Sequence, residues 1–175
     1  MSLIAPFLPL VEGHGLTLAL AGGVAAVPLA GALWYHGGAK ATGVVTAFIV
    51  LRAALSGLPV PPREAVSIRS GHPGSGMEDG FEALVRALSG HRYAREEFAE
   101  GLRIPGAEGV FRWVVRVGPV VRDLTLRGGV LPEVLFQPAT ESDEPARQAL
   151  RLAYVRNVLA AADTALFHIT EETSR

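Results

Sequence analysis

Residues 16–60 read LTLALAGGVAAVPLAGALWYHGGAKATGVVTAFIVLRAALSGLPV, and the way this stretch is covered decides the fold. Its only formally charged side chains are Lys40 and Arg52. Together with Glu12 they are the only charges in the first sixty residues, against 16 basic and 17 acidic side chains in the whole chain. A segment this apolar must be shielded from water by lipid or by protein.

Two readings compete. As membrane segments, Leu16–Tyr35 is twenty residues long, enough for a helix to cross a hydrocarbon layer. Trp34 and Tyr35 then stand where an aromatic belt would place them. Gly22, Ala26 and Ala30 recur every four residues as a small-residue stripe that admits a second helix. A polar turn, His36–Lys40, leads to a second apolar stretch, Gly43–Val60. The alternative is a buried core. Leu16, Leu18 and Leu20 alternate with Thr17 and Ala19 before Gly22-Gly23, the pattern of a strand and turn. Val44–Leu51 is β-rich, and Arg52 falls where a bilayer would penalise it unless it is paired, with Glu12 as the candidate partner. Upstream, MSLIAPFLPLV is an apolar strap whose Pro6 and Pro9 prevent a regular helix.

Pro59-Val60-Pro61-Pro62 is the expected domain boundary, separating an apolar segment 1–62 from an α+β domain 63–175. Beyond it, Arg69-Ser70-Gly71-His72-Pro73-Gly74-Ser75-Gly76 is a glycine-rich turn that opens a helix. Such a turn can cradle an anion on its N–H groups. Glu78 and Asp79 in the first helical turn argue against this, and Ser75-x-x-Glu78 reads instead as a capping box.

Phe81, Leu84, Val85 and Leu88 place an amphipathic helix over 76–89, ended by Gly90, and a second helix is expected from Arg92 to Leu102. Residues 107–117 fit a helix that buries Val110, Trp113, Val114 and Val117. They also fit a strand that buries Phe111, Trp113, Val115 and Val117. Val120–Leu126, the Arg127-Gly128-Gly129 turn and Val130–Phe136 form an expected β-hairpin. This order loosely follows a winged helix, in which Arg112, Arg116 and Arg127 would meet DNA. The balance of arginines and acids over 76–130 gives no basic surplus to support it. Ser142-Asp143-Glu144-Pro145 opens a long final helix. Leu152, Val155, Leu159, Ala162, Leu166 and Ile169 form a heptad-like seam along it, suited to the core or to a partner.

The chain has no cysteine, which excludes disulfides and thiolate chemistry. Its five histidines lack metal-site spacing, and no nucleophile elbow is present. No cofactor and no catalytic residue are expected.

The fold class anticipated is α+β, mainly helical. It comprises an apolar N-terminal hairpin (two helices, or buried strands), a helix–helix–hairpin unit and a long C-terminal helix. The function anticipated is that of a non-catalytic structural or accessory protein, membrane-associated or part of an oligomer. A cytoplasmic C-terminal domain is expected, or a wholly cytoplasmic protein if the front is core. A soluble winged-helix regulator and an uncharacterised enzyme are the alternatives. The expected partners are copies of itself or another protein, with a membrane as a further candidate and nucleic acid disfavoured.

Overall fold

The computed structural model describes residues 3–38 and 40–173; Met1 and Ser2 of the apolar strap and Ala39 of the uncharged run lie outside them. It corrects the mainly helical expectation: the fold is α+β with 41% helix and 25% strand, a five-stranded mixed sheet and a separate two-stranded one.

The apolar front is neither a pair of long helices nor a set of buried strands. A short helix α1 (Leu8–Val11) leads into a hairpin of β1 (Gly15–Leu20) and β2 (Gly23–Pro28), turned at Ala21-Gly22. Leu16 and Leu18 of β1 point into the core, as their alternation requires, whereas β2 is largely exposed. Pro28 then starts α2 (Leu29–His36), and Gly37 closes it in the left-handed conformation.

Next comes α3 (Ala41–Leu55), of which eleven residues are buried. A helix apolar on all sides is the signature both of a membrane span and of a helix enclosed by protein. Its fifteen residues rise about 22 Å, short of the roughly 30 Å hydrocarbon layer. Among the described residues, no helix is long and apolar enough to cross a membrane. The Val44–Leu51 strand reading fails for the same reason: tertiary burial on every side overrides β propensity.

A 3₁₀ turn (Arg63–Ala65) follows, then β3 (Val66–Ser70), α4 (Ser75–Val85) and β4 (Tyr93–Arg95), with β4 parallel to β3. Helix α4 ends with Arg86 at positive φ, earlier than Gly90. The helix expected over 92–102 is absent. Arg92 donates instead to the carbonyls of Val85, Arg86, Arg63 and Val66, tying the chain into β4. Phe98 packs against Val110 and Val114 on the outer face of the sheet.

Residues 107–117 resolve to the strand alternative. β5 (Arg112–Val117) buries Trp113, Val115 and Val117, and Phe111 lies just ahead of it. β6 (Val120–Leu126) pairs with β5 through the Gly118-Pro119 turn, so the hairpin lies one element earlier than expected; Val130–Phe136 carries a 3₁₀ turn instead of a strand. A winged-helix recognition helix is therefore missing from this segment.

The final helix α5 (Glu144–Ala160) forms behind Pro145 and stops well before the expected seam ends. A short α6 (Asp163–Leu166) and β7 (Phe167–Thr173) follow, giving the sheet order β4-β3-β5-β6-β7. One hydrophobic cluster runs from Phe7 to Phe167, drawing on both sides of Pro59–Pro62.

Two arginines lock this cluster. Arg52 at the end of α3 donates through Nε to Asp163 Oδ1 at 2.8 Å, and through its other nitrogens to the carbonyls of Val158, Leu159 and Ala161. Its partner is thus Asp163 and the open end of α5, where a cation complements the helix dipole. Arg122 of β6 does the same for α3, donating to the carbonyls of Ala53, Ala54 and Ser56.

The closest helix contact involves small residues. A Cβ built on Gly43 would lie 3.1 Å from Gly76 Cα, and one on Gly80 would lie 2.7 Å from Ala47 Cβ. Gly43 and Ala47 on α3 thus face Gly76 and Gly80 on α4, both pairs four residues apart, so the helices run parallel with their N-termini together. The stripe read from the sequence has no such role. Gly22 lies in the hairpin turn, Ala26 on exposed β2, and Ala30 is half-buried on α2.

Gly80→Val should therefore cost about 2–3 kcal/mol in urea unfolding through overpacking. Gly22→Ala, with nothing near the added carbon, should change stability by less than about 0.5 kcal/mol. Arg52→Leu should cost about 2–4 kcal/mol by stranding Asp163 and the α5 carbonyls, and Asp163→Asn should cost less.

Candidate functional site

The parallel pairing of α3 and α4 puts two positive helix ends at the same place, an arrangement that favours a negative charge in front of them. A cavity of about 590 Å³ opens there. Its floor is formed by Thr42, Gly43 and Thr46 of α3 and by Gly74–Met77 at the start of α4. Its apolar wall comes from Phe111, Leu131, Leu135 and Phe136. The size and the mix of apolar wall with a few polar groups are those of a small-molecule site.

The α4 end is open. Its N-cap is Gly74, which has no side chain to offer, and the Ser75–Glu78 capping box does not form because Ser75 is already the first helical residue. Met77 and Glu78 N–H donate to the Gly74 carbonyl, whereas Ser75 and Gly76 N–H have no backbone acceptor among the described residues. The two acids that argued against an anion have partners of their own. Glu78 accepts from Arg95 at 2.6 Å and from the Tyr93 hydroxyl at 3.2 Å. Asp79 accepts from His36 Nδ1 at 2.7 Å. Burial, and then the Glu78 charge, push the Tyr93 phenol up to about 12, so it remains a donor.

Three basic side chains line the cavity. Lys40 is the sole lysine of the chain. Its Nζ donates to Ser75 Oγ at 3.3 Å. Arg151 reaches in from α5, held by Glu144. His72 sits on the β3–α4 loop, its ring stacked on Phe111 at 4.4 Å between centroids. Its Nδ1–H donates to the Glu108 carbonyl at 2.9 Å. A carbonyl only accepts, so Nδ1 carries the proton and Nε2 keeps its lone pair in the neutral ring. Burial holds the His72 pKa below its ordinary 6.5, with nearby Lys40 acting in the same direction and the Glu108 carbonyl opposing. The Glu108 carboxylate is the one acid among the lining residues.

Glycine makes the loop's path available. Val110 N–H donates to the Gly71 carbonyl at 3.0 Å, and Gly71 N–H to the Arg112 carbonyl at 2.9 Å. A Cβ on Gly109, which has φ +70°, would come within 2.1 Å of the Gly71 oxygen. Below the cavity, the Thr46 hydroxyl donates to the Thr42 carbonyl at 2.7 Å and thus accepts from the Tyr154 hydroxyl at 2.7 Å. Burial raises the Tyr154 pKa, keeping this pair neutral.

The residues singled out from the sequence are not assembled here. Leu152 is half-buried, Val155, Leu159 and Leu166 are buried in the chain's own core, Ala162 is exposed, and Ile169 lies on β7. The seam thus crosses three elements. Arg112 is engaged by Asp123, with its closest contact at 2.6 Å, and Arg127 donates to the Thr164 and Phe167 carbonyls. Arg116 is exposed on β5, beside a second, smaller depression that also holds His91. His72 and His91 therefore do not share a site. Among the described residues, no three His, Asp or Glu side chains are grouped for a metal.

No protein-family model matches the chain, and no curated protein matches it in sequence.

The buried neutral imidazole has a measurable consequence. His72 binds protons more weakly folded than unfolded, so its contribution to stability is intact above about pH 6.5 and is lost as pH falls through the lower folded value. The unfolding free energy of the wild type should fall more on acidification below pH 6.5 than that of His72→Gln, and the His72 ring should titrate by NMR below 6.5. A His72 midpoint above 6.5 would contradict the neutral assignment.

Proposed function

We propose that this protein binds a small organic anion, a carboxylate or phosphate attached to an apolar body, in the cavity at the joined N-termini of α3 and α4. One observation carries the reading: two parallel helix ends, Lys40 and the Arg151 guanidinium converge on one cavity with an apolar wall. The anionic group would be received by Ser75 and Gly76 N–H and by Lys40, with charge-assisted bonds the strongest available. The apolar body would lie against Phe111, Leu135 and Phe136. His72 Nε2, unprotonated at neutral pH, would accept a hydrogen bond or a proton from the ligand.

The accessory role inferred from the sequence is compatible with such a site, as a ligand-responsive module with no chemistry of its own. An enzymatic role would require His72 to act as a base, and its depressed pKa suits that task. What favours the binding reading is that the lining combines groups that receive an anion, the two helix ends with Lys40 and Arg151, and an apolar wall, while Thr46 and Tyr154 already satisfy each other.

Calorimetric titration with inorganic phosphate, aryl phosphates and aryl carboxylates tests the proposal. Binding should favour the aryl compounds and weaken with salt. Lys40→Ala should reduce affinity about tenfold or more, from the loss of a charged hydrogen bond, and Phe136→Ser should weaken aryl compounds selectively. Absence of binding by all three classes, or binding indifferent to Lys40→Ala, would overturn it.

A further inference from the structure

The β1–β2 hairpin leaves one strand edge open, and its geometry specifies what can cover it. Leu29 N–H donates to the His14 carbonyl at 2.9 Å, just beyond the Gly15↔Pro28 pair. Pairing alternates along a ladder, so Leu29, Val27, Ala25 and Gly23 turn their backbone groups toward β1. Val24, Ala26 and Pro28 therefore turn theirs away. β1 is covered on its other side, where Ala19 N–H donates to the Pro61 carbonyl at 2.9 Å. No element among the described residues pairs with the outer edge of β2.

Natural edges are guarded by charge, by a bulge or by a covering element. This one has none of these except Pro28 at its end. The residues from Gly13 to Gly38 carry no formal charge. Three of the exposed large hydrophobics also belong to β2 and the helix that follows it: Val24 at 65%, Trp34 at 60% and Tyr35 at 61%.

We infer that β2 pairs antiparallel with β2 of a second copy of this chain, joining the two hairpins into a four-stranded sheet. The edge is complementary to itself. In a two-fold pairing centred on Ala25, Val24 of each copy lies opposite Ala26 of the other, so their outward N–H groups meet outward carbonyls. Pro28 falls toward the end, where its missing N–H costs least. The small side chains around Ala25 and Ala26 put no bulk at the two-fold axis, and an uncharged strip meets its own image without repulsion or stranded charge. The area points to modest affinity. The two rings, each about 60% exposed, offer roughly 250 Å² between them. Even with the strand edge this is a small interface, below the roughly 800 Å² per partner of a standard complex. The dimer is thus concentration-dependent, with Kd on the order of 10–100 µM.

Sedimentation velocity on the full chain from about 1 to 500 µM, spanning that Kd, should show a monomer–dimer equilibrium. Over the same range, the Val24 and Ala26 amides should gain hydrogen-exchange protection while the inward Ala25 amide stays constant. Ala26→Lys places two like charges on either side of the axis, on the same face of the joined sheet, and should weaken the dimer at least tenfold. The Ala26 side chain is exposed, so the melting temperature of the monomer should hold. Ala26→Pro, which removes an N–H that no intrachain bond uses, should act in the same direction. A monomer at every concentration would overturn the inference. So would a dimer indifferent to Ala26→Lys, or monomer recruited to phosphatidylcholine vesicles in place of dimer. The ligand titration is independent of each of these outcomes.

Discussion

The parallel contact between α3 and α4 is the constraint on which the rest of the fold depends. Gly43, Ala47, Gly76 and Gly80 let two backbones approach as closely as side chains normally would. Dispersion at such a contact is strong only because nothing protrudes. The same contact aligns two helix dipoles in one direction, an electrostatic cost that an anion at the shared end would offset. Packing and candidate function thus share one cause. The cavity lies where the helices begin because the glycines allow them to begin together.

Three arginines around that core act as terminators of helices. Arg52 closes α5, Arg122 closes α3 and Arg92 gathers the carbonyls at the end of α4. In each case a planar guanidinium satisfies several carbonyls that a helix end leaves unpaired, a task the compact ammonium of lysine performs less well. The predominance of arginine in the chain is used structurally in these three places. Lys40, the exception, stands at the cavity, where its Nζ donates to a serine hydroxyl.

Several local features were legible in the residues. The Leu16–Leu20 alternation gives β1, Pro28 and Gly37 bracket α2, and Pro145 behind an acidic turn opens α5. Phe111, Trp113, Val115 and Val117 all face inward, as the strand alternative for this stretch required. The errors share a reason. The helix expected over 92–102 was outweighed by Arg92, whose bonds reach the end of α4 and the segment before β3, and the seam through Ile169 ran past a helix end that Arg52 sets from another element. The small-xxx-small signal was present twice. The Gly22–Ala26–Ala30 instance lies across a turn, a strand and a helix, whereas the instance that packs required pairing two segments more than thirty residues apart.

What the amino-acid sequence determined by itself is a large demand for cover: sixty residues with three charges hold many apolar side chains whose hydration is unfavourable whatever the topology. It also set the local turns, through glycine and proline, since those depend on backbone sterics alone. The tertiary structure decided who provides the cover. An all-apolar helix has no face that identifies its neighbours, so α3 could be assigned to protein instead of lipid only once α2, α4, α5 and the sheet were placed around it. The cavity was decided at the same level. Lys40, His72 and Arg151 lie far apart in the chain, and only the packing of α3, α4 and α5 brings their charges and donors to one place.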